Sequence, residues 1–168
     1  MNPESSIKAA VVGPVVWIQV TGRGSFQNSA GVKELAAKMA ENGHTEFVID
    51  LKDCELMDST FMGTLAGIAL RLGDKGRVRV VRANPRNRQV LANLGLDRIL
   101  HLEDTLSTTA TPPPPEGTPT QTLPVKTGRD TIVEAHENLV AANPENVVRF
   151  KDVLDFLKQK EPGKEGGG

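Results

Sequence analysis

Cysteine and aromatic side chains are scarce in this chain, which has one cysteine, one tryptophan and no tyrosine among its 168 residues. A single cysteine, Cys54, excludes an intramolecular disulfide and fits a reducing compartment. No histidine neighbours Cys54 in the sequence, so the pattern favours a buried, inert thiol over a nucleophile.

Long apolar runs are also missing. The longest, residues 61–72, is broken by Gly63, Thr64, Gly67 and Arg71 and is too short and too polar to span a membrane. The opening residues MNPESSIKAA lack the basic start and apolar centre of a signal peptide. We therefore expect a soluble, cytoplasmic protein with no membrane partner.

Neither sign of charge dominates, since 20 basic and 21 acidic residues leave a net charge of -1. A nucleic-acid partner normally requires a basic face, so none is expected. The local exception is an arginine cluster that we interpret as a solvated face: Arg77, Arg79, Arg82, Arg86 and Arg88. Gly22-Arg23-Gly24 lacks the further glycine of a dinucleotide fingerprint and the lysine of a phosphate-binding loop, so no cofactor is expected. No spacing of His, Cys and carboxylates matches a metal-ligand set.

Strand and helix patterns alternate over residues 5–104 in the order β-β-α-β-α-β-α-β. The β-branched runs on either side of Gly13-Pro14 predict two strands, and TGRGSFQNSAG after them predicts a loop. Helical spacing follows, with Asn28 or Ser29 as the expected cap, and TEFVIDL (45–51) predicts a strand buried on both faces. KDCELMD is then expected to be a connection to the second helix. Asn84-Pro85 predicts the start of the third helix. This order predicts an α/β fold with a mixed sheet and helices packed on it.

Residues 105–128 are rich in proline and threonine and are expected to form an extended, mobile linker. Two amphipathic helices are predicted in residues 129–160, with His136 on the apolar stripe of the first, and a disordered tail in 161–168. Two such helices do not form a stable core alone. They are expected to dock on the first domain, on a second copy of the chain or on another protein.

Asp58 and Ser59 stand directly before the second helix, where side-chain oxygens accept bonds from free backbone N–H groups. A helix cap therefore explains both residues. The same position also favours an added phosphate, because the free N–H groups and the helix dipole stabilise an anion. Such a phosphate would make the surface strongly anionic without unfolding the helix.

Small residues form one side of this helix, away from the stripe formed by Met62, Leu65, Ala69 and Leu72. They are Thr60, Gly63, Thr64 and Gly67. They predict a shallow groove that admits another helix or backbone closely. Tight packing of the two glycines against the protein's own sheet is the alternative.

The element order and the stretch VIDLKDCELMDSTFMGTLAGI (48–68) resemble the STAS domain of anti-sigma factor antagonists and sulfate-transporter tails. In the antagonists, the serine after the aspartate is phosphorylated by an anti-sigma factor, an ATP-binding serine kinase of histidine-kinase-like fold. The unphosphorylated antagonist binds this kinase and so releases the sigma factor. The resemblance implies phosphorylation of Ser59, with Thr60 as second choice. It also implies partner contacts at Arg23, Ser25, Phe26, Asp58, Ser59, Thr60, Phe61, Met62 and Gly63. Phe26 and Phe61 are candidate apolar anchors, with core packing as the alternative for each.

Two other functional classes compete with this interpretation. STAS domains also serve as non-switching scaffold or accessory subunits of signalling assemblies and transport ATPases, in which case Ser59 is only a cap. An enzyme is not expected, because no Gly-x-Ser-x-Gly elbow is present and His44, His101 and His136 are scattered in sequence. No catalytic residue is assigned. Self-association through the C-terminal helices is a further expectation.

Overall fold

The computed structural model describes residues 5–103, 114–126 and 128–159. Its strands are β1 (Ser6–Val12), β2 (Val15–Gly24), β3 (Glu46–Met57), β4 (Arg77–Val81), β5 (His101–Leu102) and β6 (Gln121–Thr122). Its helices are α1 (Phe26–Glu41), α2 (Ser59–Leu72), α3 (Pro85–Asn93), α4 (Arg129–Ala142) and α5 (Asn146–Gln159). Short 3-10 turns follow α2 and α3.

The strands form one mixed sheet in the order β5-β4-β3-β2-β1-β6. β1 and β2 form an antiparallel hairpin whose turn contains Gly13 at a φ of +61°, a conformation that glycine adopts without strain. β2, β3, β4 and β5 run parallel, because each is joined to the next through a helix. The predicted α/β fold with a mixed sheet is confirmed.

β3 is the centre of the core, as its apolar run predicts. Phe47, Ile49 and Leu51 are fully buried on the face that carries the main core. Val48 points to the other face, where it packs with Trp17 and Val81. Burial on both faces is typical of a central parallel strand.

The start of α1 differs from the sequence prediction. β2 continues to Gly24 and α1 begins at Phe26, so most of the predicted loop is regular structure. The helix is capped by Ser25 and not by Asn28 or Ser29, and Asn28 instead closes the capping box from position N3. The predicted cap was wrong because pairing with β3 extends β2 and places the helix start three residues earlier.

β3 is also longer than predicted. It runs through residues 52–57, which were expected to be a connection. This half lacks a continuous apolar run and pairs with Thr21–Gly24 of β2 across two register irregularities. Its strand conformation therefore depends on a partner strand that lies far away in the sequence.

Part of the predicted mobile linker is docked on the domain. β6 adds a two-residue antiparallel strand to the outer side of β1. Leu123 is buried in the main core, and the Lys126 ammonium lies 2.9 Å from a carboxylate oxygen of Glu34. The remaining linker residues, 105–113 and 127, and the predicted tail 161–168 lie outside the described residues.

The C-terminal helices dock on the same chain. α4 lies along α2 and contacts α1, and α5 packs mainly on α4. Leu139 of α4 is fully buried and belongs to the main core. Of the three docking sites left open by the sequence, the first domain is therefore the one observed for α4.

The arginines at β4 and α3 form ion pairs and hydrogen bonds as well as contacting solvent. Arg77 and Arg79 lie near Glu46, and Arg88 donates to the Glu103 carbonyl. Arg82, at a φ of +57°, pairs with the buried carboxylate of Asp50. Much of the positive charge of the arginine cluster is therefore compensated by acceptors of the same chain. Across the described ranges, no helix is long and apolar enough to cross a membrane.

Candidate functional site

The candidate site lies where β2 and β3 end and where α1 and α2 begin. Ser25 caps α1, since its Oγ accepts a 3.2 Å bond from the Gln27 N–H. Asn28 Oδ1 accepts a 3.3 Å bond from the Ser25 N–H. Two helix N-termini, each with free N–H donors, therefore meet at the same edge of the sheet.

Asp58 joins these two N-termini. Its Oδ1 accepts a 2.8 Å bond from the Phe61 N–H, which is the predicted cap of α2. Its Oδ2 accepts a 2.9 Å bond from the Phe26 N–H at the start of α1. The Asp58 N–H in turn donates to the Gly24 carbonyl at 2.9 Å. One carboxylate, directly before Ser59 in the sequence, thus joins the first turns of α1 and α2.

Ser59 is half-buried and hydrogen-bonded to a histidine of the C-terminal extension. Its Oγ lies 2.7 Å from His136 Nε2. His136 Nδ1 lies 2.8 Å from the Ile132 carbonyl oxygen, which only accepts hydrogen bonds, so Nδ1 carries the proton. In the neutral imidazole Nε2 is then the acceptor, and the Ser59 hydroxyl donates. The imidazole also packs edge-on against Phe150 of α5, with ring centroids 5.1 Å apart.

The small-residue side of α2 holds a helix, and that helix is α4. A Cβ at Gly63 would lie 2.1 Å from the Ala135 carbonyl oxygen, and one at Gly67 would lie 2.3 Å from Asn138 Nδ2. Asn138 also donates a 3.2 Å bond to the Gly63 carbonyl. These glycines therefore allow another helix to approach closely, as the first of the two interpretations held. The helix that occupies the groove is α4 of the same chain.

The structure separates the predicted contact residues by exposure. Arg23 and Phe26 are exposed, with Phe26 at 41%. Thr60, Met62 and Gly63 are buried. Phe61 is fully buried in the core, where Gly24 leaves room for its ring. Phe61 is therefore a core residue, which was the alternative to its role as an anchor. Phe26 is exposed at the surface and is available to a partner.

Sequence reasoning missed the pairing of His136 with Ser59. The two residues are 77 positions apart, and His136 was interpreted as a packing residue because it lies on an apolar stripe. It does pack, at 3% exposure, but its ring nitrogens are both hydrogen-bonded. A histidine on an otherwise apolar stripe was the one available signal, since a buried imidazole requires partners.

Cys54 lies on β3 and is a buried, unreactive thiol, as predicted. It is 2% exposed, and burial raises the pKa of its thiol to about 11. The thiol therefore stays protonated at neutral pH. No group of three or more metal-ligating side chains occurs in the part of the chain that the structure describes.

A family model of the STAS domain matches residues 6–109. Three solved structures share the fold. A candidate anti-sigma factor antagonist from Thermotoga maritima is 24% identical, with a TM-score of 0.53 over 63% of this chain and 88% of that one. An anti-sigma factor antagonist from Mycobacterium paratuberculosis is 22% identical, with a TM-score of 0.54 over 61% and 88%. The phosphorylated form of the Bacillus cell fate determinant SpoIIAA is 19% identical, with a TM-score of 0.50 over 58% and 91%. No curated protein matches the chain.

Proposed function

Because the chain belongs to the STAS domain family over residues 6–109, we propose that it is an anti-sigma factor antagonist controlled by phosphorylation. In this proposal the unphosphorylated protein binds and sequesters an anti-sigma serine kinase. STAS modules of this type are binding modules and not enzymes. ATP would therefore be bound by the kinase, and this chain would supply the docking surface and the hydroxyl that is modified.

The observation that carries the proposal is the placement of Ser59. It is the first residue of α2, directly after the capping residue Asp58. Asp58 also holds the exposed Phe26 beside it through the 2.9 Å bond from the Phe26 N–H. Ser59 is thus the first residue of a capped helix whose N-terminus is joined to that of α1, where Phe26 is exposed. A helix N-terminus accommodates a phosphate well.

The proposed switch is electrostatic. The Ser59 Oγ forms a bond to the γ-phosphorus of ATP held by the kinase, ADP leaves, and the hydroxyl proton passes to a base of the kinase. The product carries about -1.5 to -2 charge at neutral pH beside the Asp58 carboxylate. This charge would repel a partner that fits the neutral surface closely, while α2 itself is not destabilised.

The proposed partner surface has two parts. Arg23, Ser25, Phe26, Asp58 and Ser59 form the part around the two helix N-termini. In the second part Gly63 lies on α2 beneath Ala135 of α4 and Thr60 is buried on the same helix, whereas Phe61 and Met62 are buried in the main core. Thr60 is the second choice for modification, and its 5% exposure makes Ser59 the better candidate.

Two full-length baits test this function. Ser59→Ala mimics the unphosphorylated state and Ser59→Asp adds the negative charge. We expect Ser59→Ala to capture a serine kinase from the native lysate and to bind it at least about tenfold more tightly than Ser59→Asp does. Phosphopeptide mapping of the native chain after incubation with that kinase and ATP should find Ser59. Thr60→Ala is the control and should still be phosphorylated; equal binding by both Ser59 variants contradicts the switch.

A non-switching scaffold subunit is the second candidate. It is favoured by the hydrogen bond between Ser59 and His136, which gives the hydroxyl a structural partner within the chain. In that case Ser59→Ala and Ser59→Asp should capture the same assembly, and no phosphorylation of Ser59 should be found.

Self-association through the C-terminal helices stays a prediction. α4 uses one face within the chain, which leaves α5 as the element to mediate it. Val148 of α5 is 86% exposed. If α5 pairs with a second copy, Val148→Lys should lower the mass measured by light scattering, and an unchanged mass would speak against it.

A further inference from the structure

Helix α4 fills the surface that the proposed function assigns to a partner. Three of its residues, Ala135, His136 and Leu139, are at most 3% exposed. His136 receives the Ser59 hydrogen bond, and the Ala135 backbone lies on Gly63. In the free chain the half-buried Ser59 hydroxyl is therefore hydrogen-bonded to α4, and α4 covers the small-residue side of α2.

The geometry of the groove is specific for a helix. Gly63 and Gly67 are four residues apart and lie on one side of α2, so a second helix can approach the α2 backbone closely. Ala135 and Asn138, three residues apart on α4, occupy these two places. The occupant of this groove thus carries a small residue over Gly63 and a polar side chain over Gly67.

Polar contacts hold α4 in one register. Glu134 pairs with Lys33 of α1, and Asn138 donates to the Gly63 carbonyl. Past the C-terminal end of α4, Asn146 Nδ2 donates to the Leu94 carbonyl at 3.1 Å and to the Leu139 carbonyl at 2.8 Å. Contacts in the middle of α4 and just beyond its C-terminus indicate a defined docking mode rather than a loose association.

The docking is nevertheless incomplete. A cavity of about 350 Å³ remains between α1, α2 and α4, with Lys33, Ile68, Arg71 and Glu134 among its lining residues. Close packing is therefore interrupted along one side of α4. The N-cap residue of α4 is Gly128, whose missing side chain leaves the first turn without a side-chain cap. Both features lower the free energy needed to detach α4.

The His136 imidazole occupies one approach to the Ser59 Oγ. With His136 Nε2 2.7 Å from this oxygen, no phosphoryl group fits between the two atoms. A kinase that delivers phosphate from the side of α4 needs the space that the imidazole occupies.

We propose that α4 is an intramolecular competitor of the anti-sigma kinase, and that the kinase docks a helix of its own in the α2 groove after α4 has left. This rests on the proposed function for the identity of the partner. In the closed chain α4 covers the groove and His136 holds the Ser59 hydroxyl, so the apparent affinity for the kinase is lowered by the fraction of molecules that are open. STAS residues 6–109 supply the surface, and the extension beyond them regulates it.

A matched pair of α4 variants tests the proposal in the full-length chain. Ala135 is 1% exposed against α2, whereas Ala141 lies exposed on the same helix. Ala135→Glu places a charge in the interface and should release α4. Ala141→Glu makes the same chemical change and should leave it docked. His136→Ala, which adds no bulk, is the milder opening variant if Ala135→Glu impairs folding.

The first readout needs no partner. Ser59→Cys is added to each chain and alkylated with iodoacetamide, against a slow background from the buried Cys54. We expect labelling of Cys at position 59 to be at least about tenfold faster with Ala135→Glu, and unchanged with Ala141→Glu. The three chains compared are Ser59→Cys alone and Ser59→Cys combined with Ala135→Glu or with Ala141→Glu. Equal labelling rates in all three would overturn the proposal.

The second readout uses the captured kinase. Chains with Ser59 intact should bind it at least about tenfold more tightly when they carry Ala135→Glu than when they carry Ala141→Glu. If all bind equally, the proposed function stands and the competition is overturned. If labelling accelerates but no chain binds a kinase, α4 does cover Ser59 but the proposed function is wrong. The proposal that a kinase competes with α4 is then overturned as well.

Discussion

Gly63→Ala should detach α4 without harming the domain beneath it. The added Cβ would lie 2.1 Å from the carbonyl oxygen of Ala135 and 2.5 Å from its carbonyl carbon. Both are backbone atoms of a helix, so no rotamer change relieves the clash. Van der Waals contact returns only if α4 moves back by about 1 Å.

The magnitude follows from two opposing effects. Alanine in place of glycine stabilises a helix interior by about 0.8–1 kcal/mol, and α2 gains this whether or not α4 is docked. Overpacking costs about 1–3 kcal/mol and applies only to the docked state. The docking equilibrium of α4 should therefore weaken by a factor of roughly 5–150.

Hydrogen exchange followed by mass spectrometry measures this shift in the full-length chain. A 14-residue helix is marginal alone, so amides of α4 should exchange faster once it leaves α2, while amides of β3 keep their protection. Gly67→Ala is the milder comparison, because its Cβ meets the Asn138 amide, a side-chain end that can rotate away with loss of only its hydrogen bond to the Gly63 carbonyl, so a smaller acceleration is expected. Unchanged exchange in Gly63→Ala, or equal acceleration in both variants, would refute the reasoning.

Three further outcomes follow from contacts elsewhere. Asp58→Ala should lower the free energy of unfolding by about 2–3 kcal/mol, since it removes acceptors from the N–H groups of Phe26 and Phe61. Ser25→Ala, which removes one cap, should lower the free energy of unfolding by only about 1 kcal/mol, and urea titration of both variants measures the difference. Equal losses would show that Asp58 does not stabilise both helix N-termini. Cys54 should resist alkylation at pH 8 until denaturant is added, because its folded pKa of about 11 keeps the thiol protonated, and rapid native labelling would contradict this. Arg82→Gly should destabilise the domain by about 2 kcal/mol although it relieves a positive φ, because it leaves the buried Asp50 carboxylate without its ion pair; a gain in melting temperature would show that strain dominates.

Features governed by near neighbours in the chain were predictable. Asp58 caps α2 through an N–H three residues away, and Asn84 with Pro85 starts α3 in the same way. The alternation of strands and helices predicted the mixed sheet, since parallel strands require crossovers. The errors fall where long-range pairing overrides local pattern: the second half of β3, the start of α1 and the short strand β6 all depend on a neighbouring strand.

For the candidate site, residue types alone identified Asp58, Ser59 and the small-residue side of α2 as unusual. They did not identify what occupies that side, because a glycine pair permits close approach without specifying the partner. Docking of α4 depends on shape and on hydrogen bonds between residues 75 to 77 positions apart. Contacts over such separations leave no periodic trace in the sequence, so only the folded chain brings His136 to Ser59.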